Sequence, residues 1–379
     1  FFTSADSFPL LAVPFFVLAG NIMIQGGISQ RLVNFSSKMF GGVTGSLGMI
    51  TVFTCMIFAA ISGSGIATVA AIGGIMIPAM AKENYDKGFA TSLAAASGSL
   101  GPIIPPSINL IIYGVAAGVS ITDLFLAGIV PGMLMAAALM LFVYINAKRY
   151  KYGIIREKAS LKEKWEAFNE AKWALLIPVI ILGGIYGGIF TPTEAAIISS
   201  DYGIIVGMFV YKEIKVKDLI KIFKNTAMTV GSICIILGGA AALGKILAIE
   251  MIPKMMAESI TGFSTNKIIL LLLINILLFI TGMFMDTAPS IIILTPLLLP
   301  IAESIGVDPV HFGLIMVFNL VIGMCTPPVG VNTFVACKIS NMKIEETFRW
   351  LFPMIGVLVC VLLIITFFPQ ISMFLPNLR

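Results

Sequence analysis

The sequence predicts an all-α polytopic membrane protein built from two inverted-topology repeats, each with a re-entrant hairpin and a proline-broken helix. Three observations predict it. Residues 39–81, 88–122, 124–147, 225–244, 312–337 and 350–378 carry no charge, and each run reaches the roughly 17–25 residues that a spanning helix needs. These runs are rich in Ile, Leu, Ala, Gly and Met and lack ten-residue alternation, which argues against an outer-membrane barrel. Prolines recur at an offset of 222 residues, pairing Pro78 with Pro300, Pro105 with Pro327, Pro106 with Pro328 and Pro131 with Pro353. Gly101 and Gly323 share that offset.

Composition narrows the function classes. Charged residues make up 11% of the chain, about half the share in soluble domains. The net charge of +5 reflects Lys and Arg in loops, as the positive-inside rule expects. It is no nucleic-acid signal. Cys55, Cys234, Cys325, Cys337 and Cys360 are scattered and form no CxxC pair, so they read as packing residues. His311 is the only histidine and falls in an expected loop. A metal enzyme or a Ser/His hydrolase is therefore short of parts. No enzyme and no organic cofactor is expected.

The first repeat is assigned to residues 1–147. Its opening, "FFTSADSFPLLAVPFFVLAG", has no initiator Met and no basic leader region, so it reads as the start of a fragment rather than a signal peptide. Residues 39–81 form an uncharged run of 43, which as one helix would be roughly 65 Å long. The run must fold back, and "SGSG" at Ser62–Gly65 is the turn. At the 222 offset Ser64 becomes Asp286. The arms could be two full passes or a re-entrant hairpin. An acid and an open turn are costly against lipid, which favours re-entry with tips at the midplane.

The segment 88–118 should be a broken helix. Within it, "GPIIPPSINLIIYG" places two adjacent prolines in an apolar run. Prolines donate no backbone hydrogen bond, so the helix stops and carbonyls near Gly101–Ile104 lose their partners. Beyond the break a new half-helix starts, with partial positive charge at its N-terminus. Free carbonyls suit a hard cation such as Na⁺, and the new N-terminus suits a carboxylate.

Residues 148–224 are read as a cytoplasmic amphipathic linker followed by scaffold helices. Ser160 and Glu163 form a capping box. Leu161, Trp165, Phe168 and Lys172 then follow at helical spacing, as in an interfacial helix. A solvated linker is the alternative. The run 174–211 makes two passes around "TPTEA", with Glu194 as a structural capping residue.

The second repeat, 225–379, holds a hairpin at 268–303 and a broken helix at 310–338. Loop 82–88 carries two lysines, whereas its counterpart 304–310 carries none. The two loops then face opposite sides, the inverted-repeat organisation of transporters. Lys245 and Glu250 fall near a helix end, where they snorkel.

Two hairpin tips facing two breaks make a midplane site. Ser62 and Ser64, with backbone oxygens of Gly101, Ile104 and Pro106, form one candidate Na⁺ set. Asp286, Thr287, Thr326 and the backbone near Val329 form a second, although a lysine partner inside the bundle is an alternative for Asp286. Candidate anion contacts are Ser64, Gly65, Ser107, Asn109, Thr326, Gly330 and Asn332.

The motifs "FAAISGSGIATVAAIGGIMIPAM" (58–80), "GPIIPPSINLIIYG" (101–114), "LFLAGIVPG" (124–132), "GGIFTPTEAA" (187–196) and "CTPPVGVNTFV" (325–335), with "DSFPLLAVPFFVLAGNIM" (6–23), cover nearly the whole chain. In them the sequence resembles the large membrane subunit of tripartite ATP-independent periplasmic (TRAP) transporters, the DctM-like family. The resemblance implies a bacterial inner-membrane, elevator-type transporter. It implies coupling to Na⁺ (two or more ions), a small membrane subunit, fused or separate, and a periplasmic substrate-binding protein. It also implies import of an organic carboxylate such as sialic acid or a C4-dicarboxylate, and a family helix missing before residue 1. A self-sufficient Na⁺-coupled divalent-anion symporter is the alternative, and an ion channel is a third reading.

Overall fold

The computed structural model describes residues 8–40, 44–152, 159–252, 255 and 266–378. Among them nine helices are long and apolar enough to cross a membrane. No strand occurs among the described residues. Residues 153–158 of the inter-repeat linker lie outside the described set.

The helices are α1 (Ala12–Gln25), α2 (Ile28–Met39), α3 (Ser46–Ser62), α4 (Gly65–Lys82), α5 (Lys87–Gly98), α6 (Ile108–Ala117) and α7 (Ile121–Tyr150). Then come α8 (Leu161–Tyr186), α9 (Pro192–Val210) and α10 (Val216–Ile249). The chain closes with α11 (Lys267–Phe284), α12 (Thr287–Ser304), α13 (Pro309–Gly323), α14 (Val331–Ser340), α15 (Ile344–Phe367) and the short α16 (Pro369–Met373).

The 222-residue offset seen in the prolines recurs in the helices. It carries Gly65–Lys82 onto Thr287–Ser304 end for end, and it carries Ser46–Ser62, Lys87–Gly98 and Ile108–Ala117 onto α11, α13 and α14 within a few residues. Both hairpins turn in two residues, Gly63–Ser64 and Met285–Asp286. The Ser64 hydroxyl accepts from Ala67 N–H, and the Asp286 carboxylate accepts from Thr287 N–H. Each therefore caps the arm that follows it.

At the centre lie α5 and α13. Residues 88–98 and 311–323 are buried without interruption, and an apolar helix buried on every face belongs in a core. Around them the packing is crosswise. Hairpin arm α4 packs on α14, and hairpin arm α12 packs on α6. Each hairpin therefore rests on the half-helix of the other repeat. On the outside α1 packs on α9, α2 on α8, and α10 on α1 and α12.

Two expectations change. His311 is no loop residue. It lies in the first turn of α13, buried, with Nδ1 2.7 Å from the Ser372 hydroxyl. The Asp308 cap, which accepts from the backbone of Val310 and His311, draws the helix start forward. Likewise the amphipathic segment does not end before the next pass. Leu161–Tyr186 is one helix, opened by the Ser160–Glu163 capping box. Its first turns are fastened to α2 by Lys38–Glu163 at 2.9 Å and by Phe168 against Phe35. Glu194 does cap, pairing with Thr191 at the start of α9.

Helices α11 and α13 touch backbone to backbone. A Cβ on Gly282 would lie 2.6 Å from the Leu320 carbonyl oxygen. Gly282→Ala is therefore expected to lower thermal stability in detergent by about 1–3 kcal/mol, the usual scale for overpacking. Gly231→Ala on α10, where a Cβ meets nothing within 4 Å, should be neutral or stabilising by about 0.5–1 kcal/mol. Melting curves of the two variants check the contrast.

Candidate functional site

The hairpin tips and the first break enclose a cavity of about 590 Å³. Its walls come from six places: the first tip, the residues around the first break, the second tip, Met324 of the second break, α1 and α10. Of the residues expected from sequence, Ser62, Ser64, Gly65, Asn109, Asp286 and Thr287 line it.

Three helices begin at this cavity. Gly65 starts α4, Ile108 starts α6 and Thr287 starts α12, and all three residues line the wall. The first N–H groups of a helix have no partner within it, and its N-terminus carries partial positive charge. Three such ends converge where, among the described residues, no Lys or Arg lines the cavity. Among the described residues the sole charged one on the wall is Asp286, whose Oδ1 lies 2.6 Å from Thr287 N and 3.3 Å from Thr287 Oγ1. Among the described residues no basic side chain is within ion-pair distance of it, so the lysine-paired alternative is not what the structure shows.

The first break is tightly turned. Gly101 N–H donates to Gly98 O at 3.0 Å, and the Ile103 and Ile104 N–H groups both donate to Leu100 O. The hairpin tip sits directly on it. Ile108 N–H donates to Gly63 O, and a Cβ on Gly63, whose φ is +59°, would lie 2.6 Å from the Pro106 carbonyl oxygen. A Cβ on Gly101 would lie 2.5 Å from the Ser64 carbonyl oxygen. The Pro105–Pro106 and Pro327–Pro328 peptide bonds are both cis.

Several expected contacts lie behind the wall. Gly101, Ile104 and Pro106 do not line the cavity; Gly101 and Pro106 back the first tip, Ile104 packs on Gly132 of α7, and among the described residues no donor reaches the Gly101 or Ile104 carbonyl. Ser107 is fully buried away from the cavity. Its hydroxyl accepts from Leu110 N–H as the cap of α6 and donates to the Pro102 carbonyl. Capping geometry has claimed the group that sequence spacing assigned to the anion.

The second break is more self-contained. Thr326 Oγ1 donates to Ile322 O, Thr333 Oγ1 to Cys325 O, and Asn332 N–H to Met324 O. Thr326, Val329, Gly330 and Asn332 therefore stand off the cavity, and Met324 is the break residue that reaches it. Val329 N–H donates to Met283 O, just before the second tip. Gly330 takes φ +52° as the residue before α14. The Asn332 side chain, fully buried, lies across the repeat boundary against Gly65 and Ser99.

Sequence reasoning missed the wall opposite the tips. Asn21 on α1 and Thr229 and Ser232 on α10 line the cavity, and Asn21 Nδ2 donates to Thr226 Oγ1 at 3.0 Å. The available signal was Thr226, Thr229 and Ser232 at three-residue spacing on one face of an apolar helix, with an asparagine inside another.

The family model described as "Tripartite ATP-independent periplasmic transporter, DctM component" matches residues 1–371. An isethionate TRAP transporter permease, DctMQ, of Oleidesulfovibrio alaskensis is 49% identical over 98% of this chain, which spans 59% of that relative's length. The C4-dicarboxylate large permease DctM of Rhodobacter capsulatus is 39% identical, covering 100% of this chain and 89% of the relative. The sialic acid large permease SiaM of Vibrio cholerae is 40% identical over 98% of this chain and 87% of its own length. The YdaH transporter of Alcanivorax borkumensis superposes with TM-score 0.69 at 14% identity over 97% of this chain and 85% of its own, a likeness of fold. Matches of this depth across nearly all of this chain, on a helical frame with a cavity between two hairpin tips, establish that the chain belongs to the DctM-component family of TRAP transporters, a family of transporter permeases and not of enzymes.

Proposed function

We propose that the chain imports an organic acid anion across the bacterial inner membrane, coupled to Na⁺ and supplied by a periplasmic binding protein. A small membrane subunit completes the assembly, and the fused DctMQ name of one relative supports that reading. The observation that carries the proposal is the convergence of three helix N-termini and one carboxylate on a cavity without Lys or Arg. Helix ends suit an anion. A carboxylate beside that anion is repulsive unless a cation lies between them. Na⁺ at Asp286 and Thr287, with a second ion against Ser62, Ser64 and the free carbonyls behind them, supplies that charge. Asn109, Gly65 and the opposite wall then hold the organic acid.

The relatives are named for isethionate, C4-dicarboxylates and sialic acid. These molecules share an anionic head, which the common helix ends would bind. The hydroxyls and amide of Asn21, Thr229 and Ser232 face the part that differs. The matched helix boundaries and the crosswise packing support two inverted repeats, with re-entrant tips at the midplane. In that arrangement the hairpins and broken helices move together as an elevator against α1, α2, α8, α9 and α10. Uptake into proteoliposomes tests the whole reading. Transport should need both an inward Na⁺ gradient and the binding protein. Uptake without the protein would instead mark a self-sufficient symporter.

Three variants sharpen the assignment. Asp286→Asn keeps a capping side chain but loses the charge, so the Na⁺ concentration for half-maximal uptake should rise at least tenfold. An unchanged Na⁺ curve would remove Asp286 from the ion site. Ser107→Ala should cost about 1 kcal/mol of stability as a lost cap and leave substrate affinity alone, whereas Asn109→Ala should weaken substrate use at saturating Na⁺. Thermal melts and uptake kinetics on both variants separate the two roles.

Topology is checked with single cysteines in whole cells. Lys87→Cys should be shielded from an impermeant thiol reagent added outside, and Ser304→Cys should react. Equal labelling would defeat the inverted arrangement, and the reverse pattern would overturn the assigned orientation.

A further inference from the structure

A second cavity, of about 280 Å³, lies on the same seam as the first. The transport cavity is bounded by residues 229–236 of α10 and 286–289 of the second tip. Farther along both helices the second is bounded by Leu237, Ala240, Ala241 and Gly244 on α10 and by Ile292 and Pro296 on α12. Leu10, Ile112, Val115 and Ala116 close its far side. All ten lining side chains are apolar or absent.

We propose that a phospholipid acyl chain occupies this cavity and sets the packing of the second hairpin on α10. Water is a poor occupant, because a buried water needs two to four polar partners, and apolar cavities stay dry and take up hydrocarbon instead. At about 30 Å³ per carbon-sized group, taking a water's share of liquid volume as the yardstick, the space holds roughly ten such groups. That suits the end of a fatty acyl tail. Its source is the surrounding bilayer. Three of the contributing segments are candidate membrane spans: Phe8–Gln25, Val216–Leu247 and Thr287–Ser304. Helix α10 is the least enclosed of these, with 11% of its most apolar window buried, and it exposes Ile236, Leu243 and Ile246 next to the cavity residues. Lipid lying along α10 therefore has a short path into the gap. Small residues on α10 make that gap: a Cβ on Gly244 would meet only Pro296 Cγ, at 3.8 Å. The tail fills the place where helix α10 lacks side chains to reach α12. This proposal is independent of the substrate and the coupling ion.

The test uses the complete transporter, with its membrane partner, in nanodiscs containing a phospholipid with a photoactivatable diazirine in one acyl chain. After illumination, mass spectrometry should find adducts on 237–244 or 292–296. Gly244→Leu places a side chain in the cavity and should reduce those adducts at least fivefold, while adducts on the outward face of α11 (268–280) stay constant. Should that variant fail to fold, the smaller Gly244→Ala and Ala241→Val should each reduce them at least twofold. Absence of adducts at the cavity in the parent, or adducts that persist in a folded filling variant, overturns the proposal. Labelling that appears only when the membrane partner is removed also overturns it, because the partner, and not lipid, then fills the space.

Discussion

Two helices stop inside the molecule, and their open ends govern the structure around them. In a bilayer core, backbone groups without partners cost several kcal/mol each. The groups opened between α5 and α6 and between α13 and α14 are tolerable only because something polar or tightly packed meets them. The hairpin tips do this, with Gly63 O accepting from Ile108 N–H and Met283 O from Val329 N–H. Serine and threonine side chains take other groups within the breaks. The glycines follow from the same demand, since neither Gly63 nor Gly101 could carry a Cβ with the tip so close. Chain reversal, capping and glycine placement are thus three answers to one problem.

The two breaks answer it differently. In the second, the Thr326 and Thr333 hydroxyls turn back onto their own segment, Asn332 reaches across to Ser99, and among the described residues only Met324 of the break lines the cavity. In the first, Pro102, Ile108 and Asn109 face it directly. The repeat is therefore symmetric in its helices and asymmetric in its chemistry. The tips differ too, serine in one and aspartate in the other, which puts the negative charge of the cavity on one side.

Much of the frame was legible in the sequence. Charge-free runs gave the helices, and the prolines at one offset gave the repeat, because membrane spans are long and breaks need a particular residue. The tips at Ser64 and Asp286 were legible for the same reason. What spacing could not show was where each polar side chain would spend its hydrogen bonds. Ser107 looked free and is consumed by a cap, Thr326 bonds back to Ile322, and Asn332 lies behind Gly65 against Ser99. Nor could it show the far wall, because Asn21, Thr229 and Ser232 sit inside continuous helices, away from any proline pair or hairpin turn that would mark them. His311 was misplaced because Asp308 and Pro309 read as a loop, when together they start a helix.

The crosswise packing of α4 on α14 and α12 on α6 has an implication for origin. A chain holding one repeat alone would have a hairpin arm and a half-helix, each lacking the surface it rests on. Two such chains could complete each other by exchanging those surfaces. An ancestral gene of half this length would thus have encoded an obligate pair. Fusing the copies would make permanent an association that packing had already required. Once joined, such copies would be free to diverge, as the serine of one tip and the aspartate of the other differ.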